Sequence, residues 1–356
     1  MNIGGMPVGR EHPVFVIAEL SGNHGGSLER ALAIVDAAAR SGATAIKLQT
    51  FTADSMTIDS DGPGFRIEDP ESLWYGRTLY DLYAEAATPY EWVPVIMRRA
   101  AERGLLCFSS PFDVNAVDFL DALEVPCFKI ASLENNDFAL IDAAASTGKP
   151  LLISTGASTI DEIDDAVEVA RAAGCRDLAL LKCSSSYPAS PDDIDLRAIP
   201  MLRDRYGCEV GLSDHTMGIG VSTASVALGA TIVEKHFIDD RASEGVDAAF
   251  SAEPEEFLAL VRACDQARRA LGAPELRISA AETGARSRKR SLYVATDIPK
   301  GAPFEAFHVR SGRPSGGLHP RHLAKVLTAR ASTALSAGAP LLWSHLDLSD
   351  GGGTEE

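Results

Sequence analysis

The chain is poor in positive charge. Its 356 residues contain 33 Lys and Arg against 50 Asp and Glu, a formal net charge of −17 at pH 7. Nucleic-acid binders and proteins of anionic membranes need basic surface, so this balance argues against both classes of partner. It would also argue against an anionic substrate, but a net charge describes the whole surface and not a single pocket.

Long apolar runs and paired-cysteine motifs are missing as well. Because no run reaches about 18 apolar residues, a membrane span is not expected. The first ten residues carry no basic flank before an apolar run, so no secretory signal is expected either. The six cysteines form no CxxC pair and lie mostly in apolar segments, which is typical of reduced, packed thiols. We therefore expect a cytoplasmic protein.

Short apolar segments rich in β-branched residues alternate with longer segments of helical periodicity. Eight of the short segments predict strands: Val14–Leu20, Ala45–Thr50, Leu105–Ser110, Cys127–Ser132, Leu151–Thr155, Leu178–Cys183, Val210–Asp214 and Ile232–Phe237. The longer segments predict helices: Ser27–Arg40, Pro89–Arg103, Val114–Leu123, Ser158–Ala173, Ser222–Leu228 and Pro254–Leu271. An open doubly wound sheet is the competing fold, but 19–24 lacks the GxGxxG turn that typically follows its first strand. We therefore predict an α/β fold, a (β/α)8 TIM barrel.

The regular alternation ends near Leu271, and a strand-like pattern rich in turn residues begins at Ser291. We predict a barrel domain at 1–272, a linker at 273–287, a small C-terminal domain at 288–348 and a disordered acidic tail at 349–356. Inside the barrel, 51–88 is too long for an ordinary connection and contains Trp74 and three tyrosines. It is either a lid or substrate-binding element or a surface insertion.

The C-terminal segment reverses the charge of the chain. Between Arg286 and Arg330 there are ten basic and two acidic residues, a net +8, and 331–356 carry −4, which leaves −21 for 1–285. A basic module could bind nucleic acid, yet this one has no zinc-finger, helix-turn-helix or stacking-platform signature. A cap that docks electrostatically and lends an arginine to an anionic site is the simpler interpretation.

Every predicted strand ends in polar or ionisable side chains, at the position where TIM barrels carry their chemistry. Lys47 and Lys129 interrupt apolar strands, where an unpaired charge is costly. Internal ion pairs alone would explain them, as would an anionic ligand or a Schiff base. Four serines lie near these lysines: Ser110, Ser132, Ser185 and Ser213. Their hydroxyl groups favour a phosphate or carboxylate ligand, and a class I aldolase remains an alternative.

Two histidines, His215 and His236, end neighbouring predicted strands. Glu234 precedes His236 by two residues, so both side chains point to the same side of the strand. Two imidazoles beside a carboxylate predict a divalent metal site with open positions for water or substrate, although single histidines are usually packed or solvated. Asp214 could orient a neighbouring group, and the role of His24 stays open.

Several motifs in the same order resemble the sialic acid synthases. In the barrel they are Glu19–Leu28, Lys47–Thr50, Phe108–Phe112, Lys129–Ser132, Ile153–Gly156, Gly211–Thr216 and Val233–Phe237. In the C-terminal region, Arg290–Tyr293 and Arg313-Pro314 resemble the antifreeze-like domain of these enzymes, a SAF domain with a β-clip fold. The resemblance extends to about Asp347.

Within this family, some segments are similar to the pseudaminic acid synthase branch: Leu73–Tyr80, Thr88–Trp92, Leu181–Pro188 and Gly317–Pro320. N-acetylneuraminate synthases more often have His at the position of Lys182 and Asn at that of Ser185. The resemblance implies a transferase that condenses phosphoenolpyruvate with 2,4-diacetamido-2,4,6-trideoxy-L-altrose to give a nonulosonic acid and phosphate. An N-acetylneuraminate or legionaminic acid synthase, acting on another amino sugar, is the alternative.

The resemblance also implies roles for individual residues. Phosphoenolpyruvate would contact Lys47, Ser110, Lys129, Ser132, Ser185 and Ser213. The sugar would contact Gln49, Phe112, Glu134, Tyr187, Asp247 and Arg313. His215 and His236 would bind a divalent cation, Mn²⁺ or alternatively Mg²⁺ or Co²⁺. The catalytic residues would be Glu19, Lys129 and Glu234. Arg313 would come from the partner subunit of a homodimer with swapped C-terminal domains.

The implied mechanism uses these charges. The metal would polarise the aldehyde of the open-chain sugar, the methylene carbon of phosphoenolpyruvate would attack, and water would add to the cationic C2. Lys47 and Lys129 would stabilise the phosphate and carboxylate, and either Glu19 or Glu234 would position or deprotonate the water. Two other hypotheses remain: a metal-independent aldolase that forms a Schiff base on a lysine, and a non-catalytic sugar- or anion-binding protein.

Overall fold

The structure is a computed structural model that describes residues 1–243 and 245–348. The chain forms two compact units, Met1–Gly272 and the residues from Ala273 onward. The predicted tail at 349–356 lies outside the described residues. Within the described part, no helix is both long enough and apolar enough to cross a membrane.

The first unit is a closed barrel of eight parallel strands, which confirms the predicted fold. In chain order the barrel strands are Phe15–Glu19, Ala45–Thr50, Leu106–Pro111, Phe128–Ile130, Leu151–Ser154, Leu178–Cys183, Glu209–Asp214 and Ile232–His236. Each strand pairs with the next, and the eighth pairs with the first, which places His236 opposite Glu19. Nearly all strand residues are buried, which explains why most of them are apolar.

Helices follow the strands and cover the barrel. Those of the first unit are Leu28–Arg40, Ala53–Met56, Leu79–Ala86, Val93–Glu102, Val114–Ala122, Phe138–Ser146, Ile160–Ala172, Ala198–Tyr206, Gly220–Ala227 and Pro254–Leu271. Their starts carry ordinary capping chemistry: the side chain of Thr159, for example, accepts a hydrogen bond from the backbone N–H of Glu162. Phe138–Ser146 and Ala198–Tyr206, which lie outside the predicted set, complete the alternation after the fourth and sixth strands.

The two ends of the barrel are built differently. At the amino ends of the strands, a short hairpin pairs Asn2–Ile3 with Met6–Pro7, and Ile3 is fully buried in the barrel core. At the carboxyl ends, the long segment 51–88 packs inward: Nε1 of Trp74 donates to the carbonyl oxygen of Val246 at 2.9 Å. This contact makes 51–88 part of the wall of the carboxyl-end cavity.

The second unit has a small core of its own. Ser291–Val294 pairs antiparallel with Val309–Gly312, and Arg330–Ala331 pairs with Leu346–Asp347. Two short helices also belong to it: Thr283–Arg286, which lies inside the predicted linker, and Leu323–Val326. Its core contains Leu292, Val294, Ile298, Phe304, Val326 and Leu341.

Candidate active site

Four charged side chains meet inside the barrel at the carboxyl ends of its strands. Nζ of Lys47 lies 2.7 Å from Oε2 of Glu19 and 3.8 Å from Oε1 of Glu234. Nζ of Lys129 lies 3.6 Å from the same oxygen of Glu234. None of the four residues is more than 5% exposed. Two cations and two anions therefore compensate each other in a space that is closed to bulk water.

The pKa values of the two carboxyl groups of this cluster are shifted in opposite directions. Burial raises the pKa of Glu19, and the attraction of Lys47 offsets only part of that effect. Burial would also raise the pKa of Glu234, but Lys129 and Lys47 outweigh it and the pKa is lowered. Burial lowers the pKa of Lys129, because its ammonium group has one carboxylate within 4 Å among the described residues, whereas that of Lys47 has two. Glu19 is thus the carboxyl group of the cluster that holds a proton more readily.

Hydroxyl groups extend the charge cluster. Nζ of Lys47 donates to Oγ of Ser110 at 3.3 Å. Oγ of Ser213 donates to Oε1 of Glu234 at 3.0 Å, while Oε2 of that carboxylate has no hydrogen-bond partner among the described residues. The structure therefore brings together most of the charged and hydroxyl groups that the sequence predicts for an anion site.

A second group of hydroxyls surrounds Gly156, just after the fifth strand. The backbone N–H of Gly156 donates to Oγ of Ser132 at 3.1 Å. A Cβ atom at this glycine would lie 2.7 Å from that oxygen and closer still to Oγ of Ser185. Oγ of Ser185 is buried without a hydrogen-bond partner among the described residues. Glycine is needed here because both serine hydroxyls occupy the space that any side chain would fill.

The two predicted histidines lie side by side. His215 follows the seventh strand and His236 ends the eighth, and their ring centroids are 5.3 Å apart. Nδ1 of His215 lies 2.7 Å from the carbonyl oxygen of Ser184, which favours the tautomer that leaves Nε2 unprotonated. Burial lowers the pKa of His236 well below its ordinary value, so this imidazole is neutral.

The donor set fits a two-histidine metal site. Nδ1 of His236 has no hydrogen-bond partner in the described chain, and its nearest carboxylate oxygen, Oδ2 of Asp247, is 3.8 Å away. The neutral imidazole is the form that binds cations. Among the residues that the structure describes, no group of three or more His, Cys, Asp or Glu side chains could hold a metal ion. A cation here would therefore have two protein donors and open positions for water or substrate.

A cavity of about 380 Å³ opens beside the histidines. Its polar lining is Ser21, Gln49, Ser72, Ser132, Glu134, Tyr187, His236 and Asp247, and its apolar wall includes Phe51, Trp74, Leu82 and Phe112. Nε2 of Gln49 donates to Oε1 of Glu19 at 2.9 Å and to Oγ of Ser21 at 3.1 Å. Oγ of Ser21 donates in turn to Asp247. A hydrogen-bonded chain thus connects the charge cluster to the cavity.

Two further carboxyl groups face this cavity in an unusual state. Burial raises the pKa of Glu134 to about 7, and Lys129 opposes the shift. Burial also raises the pKa of Asp247, although the hydrogen bond from Ser21 opposes it. With a pKa of about 7, Glu134 is partly protonated at neutral pH, and its protonated form can donate a hydrogen bond to a carbonyl or hydroxyl oxygen of a ligand.

Of three further residues considered at the sequence level, one belongs to the second unit and two belong to the barrel. Arg313 is exposed in the second unit, where a cis peptide bond joins it to Pro314. Asp214 accepts hydrogen bonds from Lys235 and Thr216, so it orders the segment after the seventh strand. His24 packs against Trp92 with its ring centroid 5.5 Å away.

One member of the site was missed at the sequence level. Ser21 joins Gln49 to Asp247 and has a positive φ of 49°. Its position directly after the first strand, in the run Glu19-Leu20-Ser21-Gly22, was the available signal. The connection to Asp247 spans more than 200 positions of the chain and has no local sequence signature.

The two units each match a known family. Residues 34–275 match the NeuB family and residues 289–347 match the SAF domain. The chain belongs to the NeuB family. This membership confirms the resemblance to the sialic acid synthases and the SAF identity of the C-terminal domain.

Individual relatives are similar over most of their length. The pseudaminic acid synthase of Campylobacter jejuni is 44% identical over 92% of this chain and 95% of its own. The N,N'-diacetyllegionaminic acid synthase of Legionella pneumophila is 35% identical over 96% of this chain and 97% of its own. A crystal structure of the N-acetylneuraminic acid synthetase from Leptospira borgpetersenii superposes with a TM-score of 0.72 at 33% identity, covering 80% of this chain and 94% of the other. Sialic acid synthases are generally metal-dependent.

Proposed function

We propose that the chain is a pseudaminic acid synthase, a transferase that condenses phosphoenolpyruvate with 2,4-diacetamido-2,4,6-trideoxy-L-altrose. The higher identity to a pseudaminic acid synthase than to a legionaminic acid synthase, 44% against 35%, carries the choice of sugar. A legionaminic or N-acetylneuraminate synthase is the alternative within the same family.

The phosphate and carboxylate of phosphoenolpyruvate bind Lys47 and Lys129 in this proposal. Both ammonium groups are buried, and the buried hydroxyl groups of Ser110 and Ser213 lie in the same cluster. Glu234 neutralises part of the positive charge of the two ammonium groups, and an incoming anion takes over this role. The low dielectric of the closed site strengthens the new contacts. Ser132 and Ser185, on either side of Gly156, donate to the remaining oxygens of the ligand.

The sugar occupies the cavity lined by Gln49, Phe112, Glu134, Tyr187 and Asp247. Its hydroxyl and acetamido groups are polar, whereas its 6-deoxy position is a methyl group. Glu134 and Asp247 supply hydrogen bonds, and the apolar wall around Phe51 and Phe112, whose ring centroids are 5.2 Å apart, accommodates apolar parts of the substrate.

A divalent cation, Mn²⁺ in preference to Mg²⁺ or Co²⁺, binds between His215 and His236. When bound, it supplies Lewis acidity for the aldehyde of the open-chain sugar. The neutral state of His236 supports this assignment, as does the contact between Nδ1 of His215 and the carbonyl oxygen of Ser184, which favours a tautomer with Nε2 free to bind a cation. Tyr187, whose ring centroid lies 4.3 Å from that of His215, packs against this imidazole and would limit the space around it.

We assign the positioning of the attacking water to Glu19 and the compensation of charge to Glu234. Glu234 contacts both ammonium groups and Ser213. Glu19 contacts Lys47 and is hydrogen-bonded to Gln49 at the boundary of the sugar cavity. A carboxyl group at that boundary can hold a water molecule toward C2 and accept its proton.

The proposal includes a homodimer with swapped C-terminal domains. In this dimer, Arg313 of the partner subunit completes the active site. The net charges of +8 on 286–330 and −21 on 1–285 support a docked arrangement. We expect neither nucleic acid nor membrane as a partner and a cytoplasmic location.

A panel of amino sugars tested with phosphoenolpyruvate decides the function. We expect phosphate release and a product of nonulosonic acid mass with the altrose derivative, and much slower release with N-acetylmannosamine. Release with N-acetylmannosamine alone would instead assign the chain to the N-acetylneuraminate branch. Two controls test the other two hypotheses. Covalent trapping of Lys129 on borohydride reduction, together with full activity in the presence of a chelator, would establish a Schiff-base aldolase. Absence of phosphate release with every sugar would favour a non-catalytic binding protein.

A further inference from the structure

A second polar cavity lies at the opposite end of the barrel from the active site. Its volume is about 480 Å³, and it borders the first residues of the sixth and seventh strands, Leu178 and Glu209. The arginines that line it are Arg10, Arg171, Arg176 and Arg203. They come from three separate parts of the chain, since Arg171 and Arg176 are only five positions apart, and these parts converge only in the folded barrel.

None of these four guanidinium groups has a carboxylate partner within 4 Å among the described residues. This is unusual for residues 1–285, which carry a net charge of −21. The lining holds two carboxylates, Asp177 and Glu209, and Oε2 of the latter accepts a hydrogen bond from Thr231 at 2.8 Å. Four positive and two negative groups leave the lining with an excess of positive charge.

Backbone carbonyl groups hold two of the arginines in place. Nη2 of Arg171 donates to the carbonyl oxygen of Tyr206, the last residue of helix Ala198–Tyr206. Nη2 of Arg203 donates to the carbonyl oxygen of Gly229. Anchored guanidinium groups lose little conformational entropy when an anion binds, so the cavity is organised before any ligand arrives.

Two of the cations lie next to each other. Nitrogen atoms of Arg203 and Arg10 both lie within 3.1 Å of the position that a Cβ at Gly229 would occupy. Nη1 of Arg203 is buried and has no hydrogen-bond partner in the described chain. Two like charges side by side repel each other unless an anion bridges them, and a buried unpaired donor is costly.

We propose that this cavity is a binding site for a phosphate dianion, either free or as the phosphate group of a small ester. Guanidinium groups recognise phosphate through paired N–H donors, and two adjacent guanidinium groups that lack a carboxylate partner among the described residues match a doubly charged oxyanion. The site is separate from the phosphoenolpyruvate site because it lies at the amino ends of the strands, whereas Lys47 and Lys129 lie at the carboxyl-end site.

Calorimetric titration of the full chain tests the site with three probes: inorganic phosphate, glycerol 3-phosphate and citrate. The titrations use a Lys129→Gln background, which weakens anion binding in the active site. We expect one phosphate or phosphate ester per chain, weakened about tenfold or more by Arg10→Gln and by Arg203→Gln because each removes a charge-assisted contact. Binding of the inorganic ion alone would identify free phosphate, and tighter binding of glycerol 3-phosphate would identify an ester.

A second variant and a matched control allow the titration to test the proposed site. Arg10 is exposed and makes no hydrogen bond with a described residue, so Arg10→Gln tests the site even if Arg203→Gln fails to fold. Arg205→Gln is the matched control, since this residue lies on the same helix as Arg203 but pairs with Asp164 at the surface. Equal weakening by the control, no effect of Arg10→Gln, no phosphate binding in the background, or binding of citrate alone would each overturn the proposal.

Discussion

Glu19 and Lys47 lie opposite each other on the first and second barrel strands, and 2.7 Å separates Oε2 of the carboxylate from Nζ of the ammonium. The pair is buried and shares its cation with Glu234. Removing one partner of a buried pair leaves the other uncompensated, which costs more than the attraction itself. The same pair that carries the proposed chemistry therefore also contributes to the stability of the barrel.

Glu19→Gln should lower both stability and turnover. We expect the free energy of unfolding to fall by about 3 kcal/mol, because the more distant Glu234 is then the one carboxylate within 4 Å of the Lys47 ammonium among the described residues. Denaturant unfolding measures the stability, and phosphate release measures the turnover. Asp121→Asn, which breaks the surface pair with Lys149, is the control and should cost less than about 1 kcal/mol. Equal losses in the two variants would contradict the buried-pair interpretation.

Gly156→Ala should weaken phosphoenolpyruvate binding. The new methyl group overlaps Oγ of Ser132 and Oγ of Ser185, so both hydroxyls must move. We expect KM for phosphoenolpyruvate to rise about tenfold, the loss associated with one or two displaced hydrogen bonds. Gly220→Ala adds a methyl group in open space at the start of a helix and should leave KM unchanged. An unchanged KM in Gly156→Ala would remove these serines from the ligand site.

His236→Ala should abolish turnover and weaken Mn²⁺ binding, because it removes one of the two imidazole donors of the proposed site, the one whose pKa is lowered. Paramagnetic resonance titration of Mn²⁺ measures the binding, and circular dichroism checks that the barrel still folds. His12→Ala, near the amino ends of the strands, is the control and should bind Mn²⁺ as the parent does. Full activity of His236→Ala would refute the metal assignment.

The stability contribution of Glu134 should depend on pH. Its folded pKa of about 7 lies above its ordinary value of 4.5, so the native state binds more protons between these values. The free energy of unfolding therefore falls as pH rises through this window, and Glu134→Gln removes the fall. We expect the variant to be more stable than the parent at pH 8, by an amount on the order of 2 kcal/mol, and equally stable near pH 4.

The same substitution tests the sugar contact. A neutral Glu134 can donate a hydrogen bond, so KM for the sugar in the parent should rise above pH 7, whereas the glutamine variant should show a flatter profile. Glu91→Gln changes an exposed carboxylate and should alter neither the stability difference nor the profile. A pH profile that is identical in parent and Glu134→Gln would exclude this group from sugar binding.

Arg313→Ala should lose activity alone and regain it when mixed with Lys129→Gln. Each mixed dimer would then contain one intact barrel served by one intact C-terminal domain. About a quarter of all sites would be active if the subunits associate at random, and about a half if every dimer is mixed. Phosphate release from the mixture measures the rescue. The control is Arg310→Ala, which changes an exposed residue of the strand Val309–Gly312. This variant should be active without addition of Lys129→Gln. Absence of rescue would place Arg313 in its own subunit's site or outside the site.

Much of the fold follows from local sequence patterns. The apolar run at the start of Leu178–Cys183 predicts a strand with the bounds that are observed, because buried parallel strands carry apolar residues on both faces. Pro254–Leu271 was likewise predicted with its observed bounds, since proline at its first position marks the start of the helix. The helix Ala198–Tyr206 was missed because its apolar residues do not form a strong periodic stripe.

The amino-acid sequence by itself determined the strand order of the barrel, the presence of polar residues at the strand ends and the candidate lysines and histidines, since these depend on local periodicity and spacing. Only the tertiary structure decided how those groups compensate each other: Glu234 between Lys47 and Lys129, and Ser21 between Gln49 and Asp247. It alone also gathered, at the opposite end, four arginines without a carboxylate partner among the described residues. The physical reason is that burial and distance set the energy of a charge, and closure of the barrel creates both.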